Sequence, residues 1–536
     1  MRKSNIGFTI FASVLIIGFL FNACKNSDRK KIESVKKNVD ITIPQQIKPA
    51  DKNVFDSSSS TYFFAKYPLL SSVASEWNSF YQSRKYSFAW VDTSGITNVA
   101  TNLHNRVNNL NDDGLNDSLL YRTAFNTLYD KAITLSGSPF KDSTIIETEM
   151  MLTAQYFMYA KQIYDAIGAD ELKAMGWNIT PNKISYTEFL SNALSNKENA
   201  FENEPIYYQY ALLKKYLKKY KEIANEGGLP SIDTTLKNIT VGEENDAIPD
   251  LKKYLLAVGD LAISDSSTIY DTATSVALRQ CRVRFGLKDT ALLDKYVLQQ
   301  MNVPVEERIK QILINMQRCR WMPNNPSENH ISVNIPDFTM NVYENNKLAF
   351  STNVVVGALA TKTVIFDDTL KTIAFSPYWN VPYSIYKKEL AGRSSASLRR
   401  KNMEYYGNNQ VRQLPGGNNA LGKVKFLFPN NYNIYFHDTP QQDKFNYTQR
   451  TFSHGCIRLS EPKKLAQYLL RNEPKFNEGV IDSLMNLRKE TQVKLKKPIP
   501  VTITYFTCFV KNNDLLNFRK DVYDYDGKVL EGFVKN

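Results

Sequence analysis

Residues 453–459, Ser-His-Gly-Cys-Ile-Arg-Leu, combine a cysteine with residues that could activate it. If this segment is extended, its side chains alternate between two faces, so His454, Cys456 and Arg458 share one face. Cys456 would then lie between two potential cations, which favour the thiolate and lower the pKa of a cysteine. These residue types indicate nucleophilic catalysis by Cys456.

A cysteine nucleophile also needs a base, and the sequence contains 4 histidines. His104 lies in a helical region and His330 at the start of a β-rich region, and both positions are more typical of surface histidines. His437 ends a predicted strand, and the polar loop after it can return the chain beside Cys456. His454 is the competing base.

Gly455 is the third element of this segment, because a residue without Cβ lets the backbone turn sharply. The N–H groups of Gly455 and Cys456 could then stabilise the negative oxygen of an acyl-transfer intermediate. The alternative is a buried structural cysteine in a β-strand, with nearby histidines that only fill space. The combination of residues makes this the weaker interpretation.

The elements that must position these residues belong to a region that is mainly β. Runs rich in β-branched and aromatic residues, bounded by Pro, Asn and Gly, predict strands. The predicted strands are 331–335, 340–343, 348–356, 424–428, 434–437 and 501–505.

The chain before this region is mostly helical by pattern. Residues Leu213, Tyr216, Leu217 and Tyr220 follow helical spacing, with lysines on the opposite face. Between 248 and 303 the pattern predicts two helices, the second over 272–285, with Gly259 and Gly286 near their ends. Pro304 begins a further helix that stops before Pro323.

Length and charge set further limits. At 536 residues the chain exceeds one ordinary domain, so two or three domains are expected. The formal charge of +13 favours anionic surroundings such as a membrane face, a polyanionic wall or nucleic acid. The sequence contains no zinc-finger spacing, RNA-binding aromatic motif or phosphate-binding glycine loop, so we predict no nucleic-acid partner.

The N-terminal segment predicts export. Arg2 and Lys3 precede an apolar run, 6–21, that has the layout of a secretion signal. Ala23-Cys24 resembles a lipoprotein cleavage site, so Cys24 would be lipidated and anchor the protein to a membrane. An ordinary signal peptide or an uncleaved anchor is the alternative, and either also exports the rest of the chain. A polar tether would follow.

The other cysteines show no metal-ligand pattern and no dense disulfide framework, because they are widely and irregularly separated. We therefore predict no metal. The pairing of Cys281, Cys319 and Cys508 stays open.

The arrangement of His437, fifteen further residues and then Ser-His-Gly-Cys-Ile-Arg resembles the signature of the YkuD-type L,D-transpeptidases. Segments 354–357, 377–382, 419–422 and 436–440 are similar to the family as well. Together they resemble a larger periplasmic subfamily. The implied fold is α+β and multidomain, with an all-α scaffold, a small helical peptidoglycan-binding-like module, and a mainly β catalytic domain with a lid insertion.

The resemblance implies roles for individual residues. Cys456 would be the nucleophile and His437 the base, oriented through a backbone carbonyl at Asp438. The residues that shape the pocket would be Ser453, His454, Gly455 and Arg458. Tyr378 and Trp379 would line the substrate cleft, while Ser376 stands where relatives often have Asn. Basic residues of the lid could meet substrate carboxylates, although a solvated basic loop is the simpler interpretation.

The domains implied in this way follow one another along the chain. They are a signal peptide (1–23), a flexible linker (24–60), a helical scaffold (61–245), a peptidoglycan-binding-like module (246–305), a connecting helix (306–327), the catalytic domain (328–510, with the lid at 384–417) and a C-terminal tail (511–536). The helical module is equally compatible with a spacer that binds nothing.

The implied reaction is acyl transfer between peptidoglycan tetrapeptide stems, without a cofactor. A thioester on Cys456 forms with release of D-alanine, and an acceptor stem then gives a crosslink between third residues. Carbapenems would acylate the same thiol. The alternatives are an L,D-carboxypeptidase or crosslink hydrolase, an enzyme that joins stems to a wall-anchored protein, and a non-catalytic wall-binding lipoprotein.

Overall fold

The computed structural model describes residues 53–115, 119–135, 139–165, 167–181, 183–196, 200–201, 204–324, 326–407, 410–511 and 514–535. Contacts divide the chain into two compact units. One comprises the described residues of Met1–His104 and Leu119–Met158, and the other those of Asn105–Ser118 and Tyr159–Asn536. The predicted signal peptide, Cys24 and most of the predicted linker lie outside the described residues.

Helices dominate the chain up to residue 225, as the apolar spacing predicts. They are α1 (Ser59–Lys66), α2 (Ala74–Ser83), α3 (Asn98–Asn108), α4 (Arg122–Thr134), α5 (Ser143–Tyr164), α6 (Ala169–Ala174), α7 (Tyr186–Ser195) and α8 (Gln209–Asn225), with short strands β1 (Val91–Asp92), β2 (Gly95–Ile96) and β3 (Trp177–Asn178). In α8, Leu213, Leu217 and Tyr220 are buried while Lys215 and Lys218 are exposed, which confirms the predicted amphipathic helix.

Three further helices form a small cluster with its own apolar core: α9 (Ile248–Val258), α10 (Thr272–Arg284) and α11 (Lys295–Met301). As predicted, Gly259 and Gly286 follow the first two helices, and both have positive φ (+89° and +72°), which glycine adopts without strain. The predicted connecting helix is α12 (Val305–Arg320), and Pro304 is its N-cap.

The mainly β domain that follows contains most of the strands. They are β4 (His330–Asn334), β5 (Thr339–Glu344), β6 (Lys347–Gly357), β7 (Ile365–Phe375), β8 (Trp379–Asn380), β9 (Met403–Tyr406), β10 (Gln410–Gln413), β11 (Val424–Leu427), β12 (Phe436–His437), β13 (Thr451–Ser453), β14 (Ile457–Leu459), β15 (Thr491–Thr504), β16 (Cys508–Val510) and β17 (Leu516–Phe518).

The main sheet closes on itself. Its strand order is β11-β12-β14-β6-β5-β4-β15-β7, and β7 also pairs with β11, so every strand of this ring has two neighbours. Strands β3 and β13 add to β7 and β6 outside the ring. Closure removes exposed sheet edges and fixes the register of the short strands β12, which ends with His437, and β14, which directly follows Cys456.

The predicted lid, 384–417, is a folded subdomain. It contains α13 (Tyr383–Ile385), a π-helical turn (Tyr386–Leu390) and α14 (Ser395–Arg399), beside a three-stranded sheet of order β8-β10-β9. Four buried side chains form its apolar centre: Leu390, Leu398, Met403 and Val411. The lid therefore keeps its shape through packing of its own.

The packed structure extends beyond the predicted limits at both ends. Phe55 is buried and α1 begins at Ser59, so packing starts before the predicted linker ends. After helices α15 (Pro462–Leu470) and α16 (Glu478–Leu484), the predicted C-terminal tail contributes β17 and α17 (Asp526–Lys535). Its Tyr523 is buried and donates a hydrogen bond to the Gly357 carbonyl at 2.7 Å.

Cys281, Cys319 and Cys508 are free, buried thiols, and among the described residues no disulfide joins them. Burial raises the pKa of each, which keeps them protonated and unreactive. Among the described residues, no helix has both the length and the apolar character needed to cross a membrane.

Candidate active site

The predicted base, His437, ends strand β12, and the predicted nucleophile, Cys456, immediately precedes the neighbouring parallel strand β14. Phe436 pairs with Ile457, and His437 pairs with Arg458. Phe436 and Ile457 are fully buried, so the residues next to them along each strand point to the opposite face. Cys456, one residue before β14, continues this alternation and lies on the same face as His437, diagonal to it across the strand pair.

Cys456 occupies a partly open, polar position. The sulfur lies 3.5 Å from the Asn433 carbonyl, to which the thiol donates. Tyr435 and Arg458 also influence it electrostatically. Among the described residues no hydrogen bond joins Cys456 to His437, so the thiol must turn from Asn433 towards the imidazole before proton transfer. The alternative of a cysteine sealed in an apolar core does not fit these surroundings.

The His437 ring is held in one tautomer. Its Nδ1 lies 2.5 Å from the Asp438 carbonyl, which can only accept, so Nδ1 carries the proton and Nε2 has a free lone pair. Burial lowers the pKa of His437 to about 3, although the Asp438 carbonyl opposes this and Arg458 adds to it. The imidazole is neutral at physiological pH, as a general base must be.

The prediction that nearby cations lower the pKa of Cys456 is wrong. Burial raises that pKa above its ordinary value and outweighs the hydrogen bonds from Tyr435 and the charge of Arg458. His454, one of the two expected cations, is exposed. The resting site is therefore a neutral thiol beside a neutral imidazole, and the thiolate forms as His437 takes the proton.

The turn that carries the nucleophile is fixed by Ser453. Its hydroxyl donates to the Cys456 carbonyl at 2.5 Å and accepts from the Gly455 N–H at 3.1 Å. Gly455 has φ +114°, a conformation that side-chain-bearing residues rarely adopt, and no atom is closer than 3.8 Å to the place of a Cβ. Backbone conformation, rather than space, requires glycine here.

The geometry of this turn removes one of the two predicted oxyanion donors. The Gly455 N–H is already bonded to Ser453, so it is not available to a substrate oxygen. Among the described residues, the Cys456 N–H has no acceptor, and it remains the predicted donor. The sequence could not show that the serine hydroxyl would capture the glycine amide.

Tyr435 is a residue that the sequence reasoning missed. It lies two residues before His437 on the same face, with ring centroids 5.8 Å apart. Its hydroxyl and its N–H both act to lower the pKa of the Cys456 thiol, against the larger effect of burial. The period of two along the strand was the signal that could have identified it.

Arg458 and His454 do not flank Cys456 as the pair of cations that the sequence predicts. Arg458 is half-buried and donates to the Gln441 side chain at 2.7 Å, while its Nε is buried without a partner in the described part of the chain. The guanidinium thus faces the site from beside His437. The exposed His454 ring is not positioned as a buried base, which favours His437 over it.

The predicted substrate-lining residues lie where the lid joins the sheet. The Tyr378 N–H donates to Glu490 at 2.9 Å, and the Arg412 guanidinium lies 4.3 Å from the Tyr378 ring centroid. Trp379 packs against the apolar centre of the lid. Ser376 is buried and donates to the Leu484 carbonyl at 2.9 Å, so it supports the backbone there.

The lid cations reach solvent. The basic residues between 387 and 401 are all exposed: Lys387, Lys388, Arg393, Arg399, Arg400 and Lys401. This exposure fits a solvated basic surface and leaves substrate contact as a prediction. No group of three or more His, Cys, Asp or Glu side chains among the described residues could hold a metal ion.

Comparison with known proteins identifies this region. Residues 328–494, which include Cys456 and His437, match the family model of the L,D-transpeptidase catalytic domain, YkuD. This part of the chain is a YkuD-type L,D-transpeptidase catalytic domain. Residues 75–217 match the model of a Scaffold domain, which agrees with the predicted helical scaffold. The predicted peptidoglycan-binding character of α9–α11 stays a prediction.

Individual relatives agree with this family. A Haemophilus influenzae protein named "Putative L,D-transpeptidase" is 24% identical over 432 residues, covering 69% of this chain and 86% of the relative.

Two solved structures are more distant. L,D-transpeptidase 3 from Mycobacterium tuberculosis, in complex with a faropenem-derived adduct, is 14% identical with a TM-score of 0.18, covering 33% of this chain and 60% of that one. An L,D-transpeptidase from Xylanimonas cellulosilytica is 12% identical with a TM-score of 0.16, covering 49% and 96%. Superpositions this weak transfer no residue roles.

Proposed function

We propose that this protein is a cysteine L,D-transpeptidase that crosslinks peptidoglycan stem peptides between their third residues. The observation that carries the proposal is the shared sheet face of Cys456 and His437. On that face a neutral imidazole, oriented by the Asp438 carbonyl, lies diagonal to a partly open thiol. A thiol and a base so placed can perform acyl transfer without a cofactor.

In the first step the donor is a tetrapeptide stem. The sulfur attacks the carbonyl between the third residue and the terminal D-alanine, while His437 Nε2 takes the thiol proton. The Cys456 N–H stabilises the developing oxyanion. The carbon–nitrogen bond then breaks, His437 returns the proton to the departing amine, and D-alanine leaves a thioester on Cys456.

In the second step a side-chain amine of another stem attacks the thioester. His437 accepts a proton from the amine and returns it to the sulfur as the carbon–sulfur bond breaks. The new amide joins the third residues of two stems, and the thiol is restored. Because the imidazole is neutral at the start of both steps, one residue can serve as base and then as acid.

The test is product analysis with purified tetrapeptide muropeptides. We expect the intact protein to release D-alanine and form crosslinked dimers, and Cys456→Ala to lose more than about 10³-fold of both activities. D-alanine release without dimers, in the presence of acceptor, would make the protein a carboxypeptidase. Undiminished dimers from Cys456→Ala would refute the proposed nucleophile.

The same proposal includes export and a lipid anchor. The support is the sequence alone: Arg2 and Lys3, the apolar run 6–21, and a small residue before Cys24. We expect a periplasmic protein that incorporates a fatty-acid label when expressed in a bacterium and loses the label in Cys24→Ala. A label that persists in Cys24→Ala would contradict the anchor.

A further inference from the structure

The peptide group that carries the predicted oxyanion donor is held from its opposite side. The Cys456 N–H belongs to the same peptide group as the Gly455 carbonyl, and in a planar trans peptide these two groups point in opposite directions. The Gly455 carbonyl accepts a hydrogen bond from the Thr363 hydroxyl at 2.8 Å. The direction of the Cys456 N–H is therefore coupled to the position of the Thr363 side chain.

This peptide group needs such a restraint from outside the turn. Gly455 precedes it with φ +114°, and glycine restricts the rotation of the backbone less than any other residue. The Ser453 hydroxyl holds the groups on either side, which are the Gly455 N–H and the Cys456 carbonyl. Among the described residues, the hydrogen bond from Thr363 is the one that holds the peptide group between them.

Thr363 has a fixed place in the loop between β6 and β7, where it is fully buried. Its hydroxyl accepts from the Gly357 N–H at 2.9 Å, so the oxygen is held by one backbone group while its proton is directed to the Gly455 carbonyl. A Cβ at Gly357 would lie 2.7 Å from the Thr363 nitrogen, so glycine permits the loop to fold back this closely on β6.

The same loop is held from below by Tyr523, which lies between β17 and α17. The Tyr523 hydroxyl donates to the Gly357 carbonyl at 2.7 Å and accepts from the Thr363 N–H at 3.1 Å. It thus joins the two ends of the loop. Burial raises the pKa of Tyr523 to about 12, so the hydroxyl stays protonated and keeps both hydrogen bonds.

Tyr523 is itself anchored to other parts of the chain. Its N–H donates to the Tyr505 hydroxyl at 2.7 Å. Asp526, which begins α17, forms a 2.7 Å ion pair with Arg318 of α12. Tyr523 lies beyond residues 328–494, the part of the chain that matches the catalytic-domain model. The support of the catalytic turn therefore extends into a segment outside that match.

We propose that Thr363 and Tyr523 are positioning residues for acyl transfer, an inference that rests on the proposed function. The Thr363 hydroxyl aims the Cys456 N–H at the oxygen that becomes negative during attack, and Tyr523 holds the loop from which Thr363 acts. The hydrogen bond to the Gly455 carbonyl also polarises the peptide group, which makes its N–H a stronger donor. This support lowers the energy of the tetrahedral intermediate and takes no part in proton transfer.

Two reactions of the Cys456 thiol separate this role from a general effect on the fold. Acylation by the carbapenem imipenem passes through a tetrahedral intermediate with a negative oxygen. Alkylation by iodoacetamide displaces iodide and forms no oxyanion. A residue that acts through the Cys456 N–H should therefore slow acylation and leave alkylation unchanged. A residue that only stabilises the fold, or that shifts the pKa of the thiol, would change both rates.

The test compares variants that lose one hydroxyl each. Since removal of an oxyanion donor costs about 10²–10³-fold in rate, we expect a misdirected donor in Thr363→Val to slow imipenem acylation about 30-fold. Tyr523→Phe, which acts one step further away, should slow it about fivefold, and Thr363→Ser, which keeps the hydroxyl, should stay within about threefold of the parent. Intact-mass spectrometry at neutral pH follows both adducts, and circular dichroism melting checks that each variant is folded.

The controls are Thr372→Val on β7 and Tyr525→Phe, because neither hydroxyl makes a hydrogen bond within the described residues. Both should keep the parent rates. Tyr523→Phe answers the same question if loss of the buried threonine hydroxyl prevents folding. Unchanged acylation in the folded Thr363 and Tyr523 variants, equal losses of acylation and alkylation, or a Thr363→Ser variant as slow as Thr363→Val would overturn the inference.

The assay contains no stem peptide, so it is independent of the crosslinking reaction. A parent protein that imipenem does not acylate would overturn this inference. Imipenem acylation with the expected pattern of losses, but without dimers in the muropeptide product analysis, would contradict the proposed function and leave the positioning role in place.

Discussion

At the scale of single residues, the site is a pair of uncharged groups. Burial lowers the pKa of His437 and raises that of Cys456, so a thiolate–imidazolium pair is disfavoured before substrate binds. The proton must move during attack. The thiol is therefore protected from adventitious reagents at neutral pH, and its reactivity depends on the substrate geometry.

This charge state predicts the pH dependence of alkylation. The rate of Cys456 modification by iodoacetamide should rise about tenfold per pH unit and continue to rise beyond pH 8.5, the ordinary pKa of a cysteine. The reason is that burial raises the pKa of the thiol. Mass spectrometry of the Cys456 peptide measures the rate, with N-acetylcysteine as the reference thiol. A plateau at or below neutral pH would show a pre-formed ion pair.

Tyr435 gives a second prediction at this scale. Tyr435→Phe removes a hydroxyl that favours the Cys456 thiolate, so kcat/KM for muropeptide should fall about tenfold and the alkylation profile should move to higher pH. Tyr432→Phe is the matched control, since Tyr432 is 41% exposed and its ring packs on Phe366. Equal effects of the two substitutions, or an unchanged alkylation profile in Tyr435→Phe, would contradict the role.

At the scale of elements, the turn before β11 supports the base. Gly422 has φ +61°, and a Cβ there would lie 2.3 Å from Asp438 Cγ. The Asp438 carboxylate accepts from the Lys423 N–H at 2.8 Å and the Thr439 N–H at 2.7 Å, which holds the residue whose carbonyl orients His437. Glycine at 422 is therefore part of the support of the active site.

Gly422→Ala should consequently reduce both stability and activity. We expect a loss of about 2–4 kcal/mol in the free energy of unfolding, from backbone strain and the displaced Asp438, and at least a tenfold loss of kcat. Gly242→Ala is the control: its φ is also positive, at +97°, but nothing lies within 4 Å of the place of a Cβ. Urea denaturation and muropeptide turnover measure the two effects, and identical behaviour of both variants would contradict this account.

The strands show what the sequence could and could not predict. The alternation of apolar residues predicted the ends of β4, β5 and β6 to within a residue or two. One face of such a strand is buried, so apolar residues recur at every second position of the sequence. Strand β15 begins at Thr491, ten residues before the predicted start, because its first half is rich in lysines and carries little apolar signal. The parallel pairing of β12 with β14 depends on closure of the sheet, which no local pattern specifies.

The active site also has features that the sequence predicted and features that it did not. The residue types of the motif predict Cys456 as the nucleophile and leave His437 and His454 as candidate bases. The choice of His437, and the Asp438 carbonyl as its partner, come from the family resemblance. The pKa of Cys456 was predicted in the wrong direction, because burial is a property of the folded chain. The Gly455 amide was assigned wrongly for a related reason: the Ser453 side chain competes for it in three dimensions.

At the scale of the whole molecule, buried ion pairs connect segments that are far apart in sequence. Asp337 pairs with Arg519, which also donates to the Arg284 carbonyl. Burial raises the pKa of Asp337, but the charges of Arg519 and Lys511 outweigh it and hold the pKa below its ordinary value. The helices at 272–301, the β domain and the C-terminal segment thus share one buried contact.

This contact predicts a pH-dependent stability. Since the pKa of Asp337 is lower in the folded chain than in the unfolded chain, its stabilisation is present above the unfolded value of about 3.9 and is lost as pH falls through the folded value. Asp337→Asn should lower the free energy of unfolding by about 3–5 kcal/mol at pH 7. The difference from the parent should shrink below about pH 4. A difference that stays constant down to pH 3 in urea titrations would contradict the ion-pair account.

The most direct measurement of the central claim is intact-mass spectrometry of the protein mixed briefly with a tetrapeptide donor in the absence of acceptor. The account predicts an adduct equal to the donor minus D-alanine, located on Cys456 by peptide mapping, absent in Cys456→Ala and formed at least about 10²-fold more slowly in His437→Ala. An adduct on another residue, or one that forms equally fast without the imidazole at position 437, would contradict it.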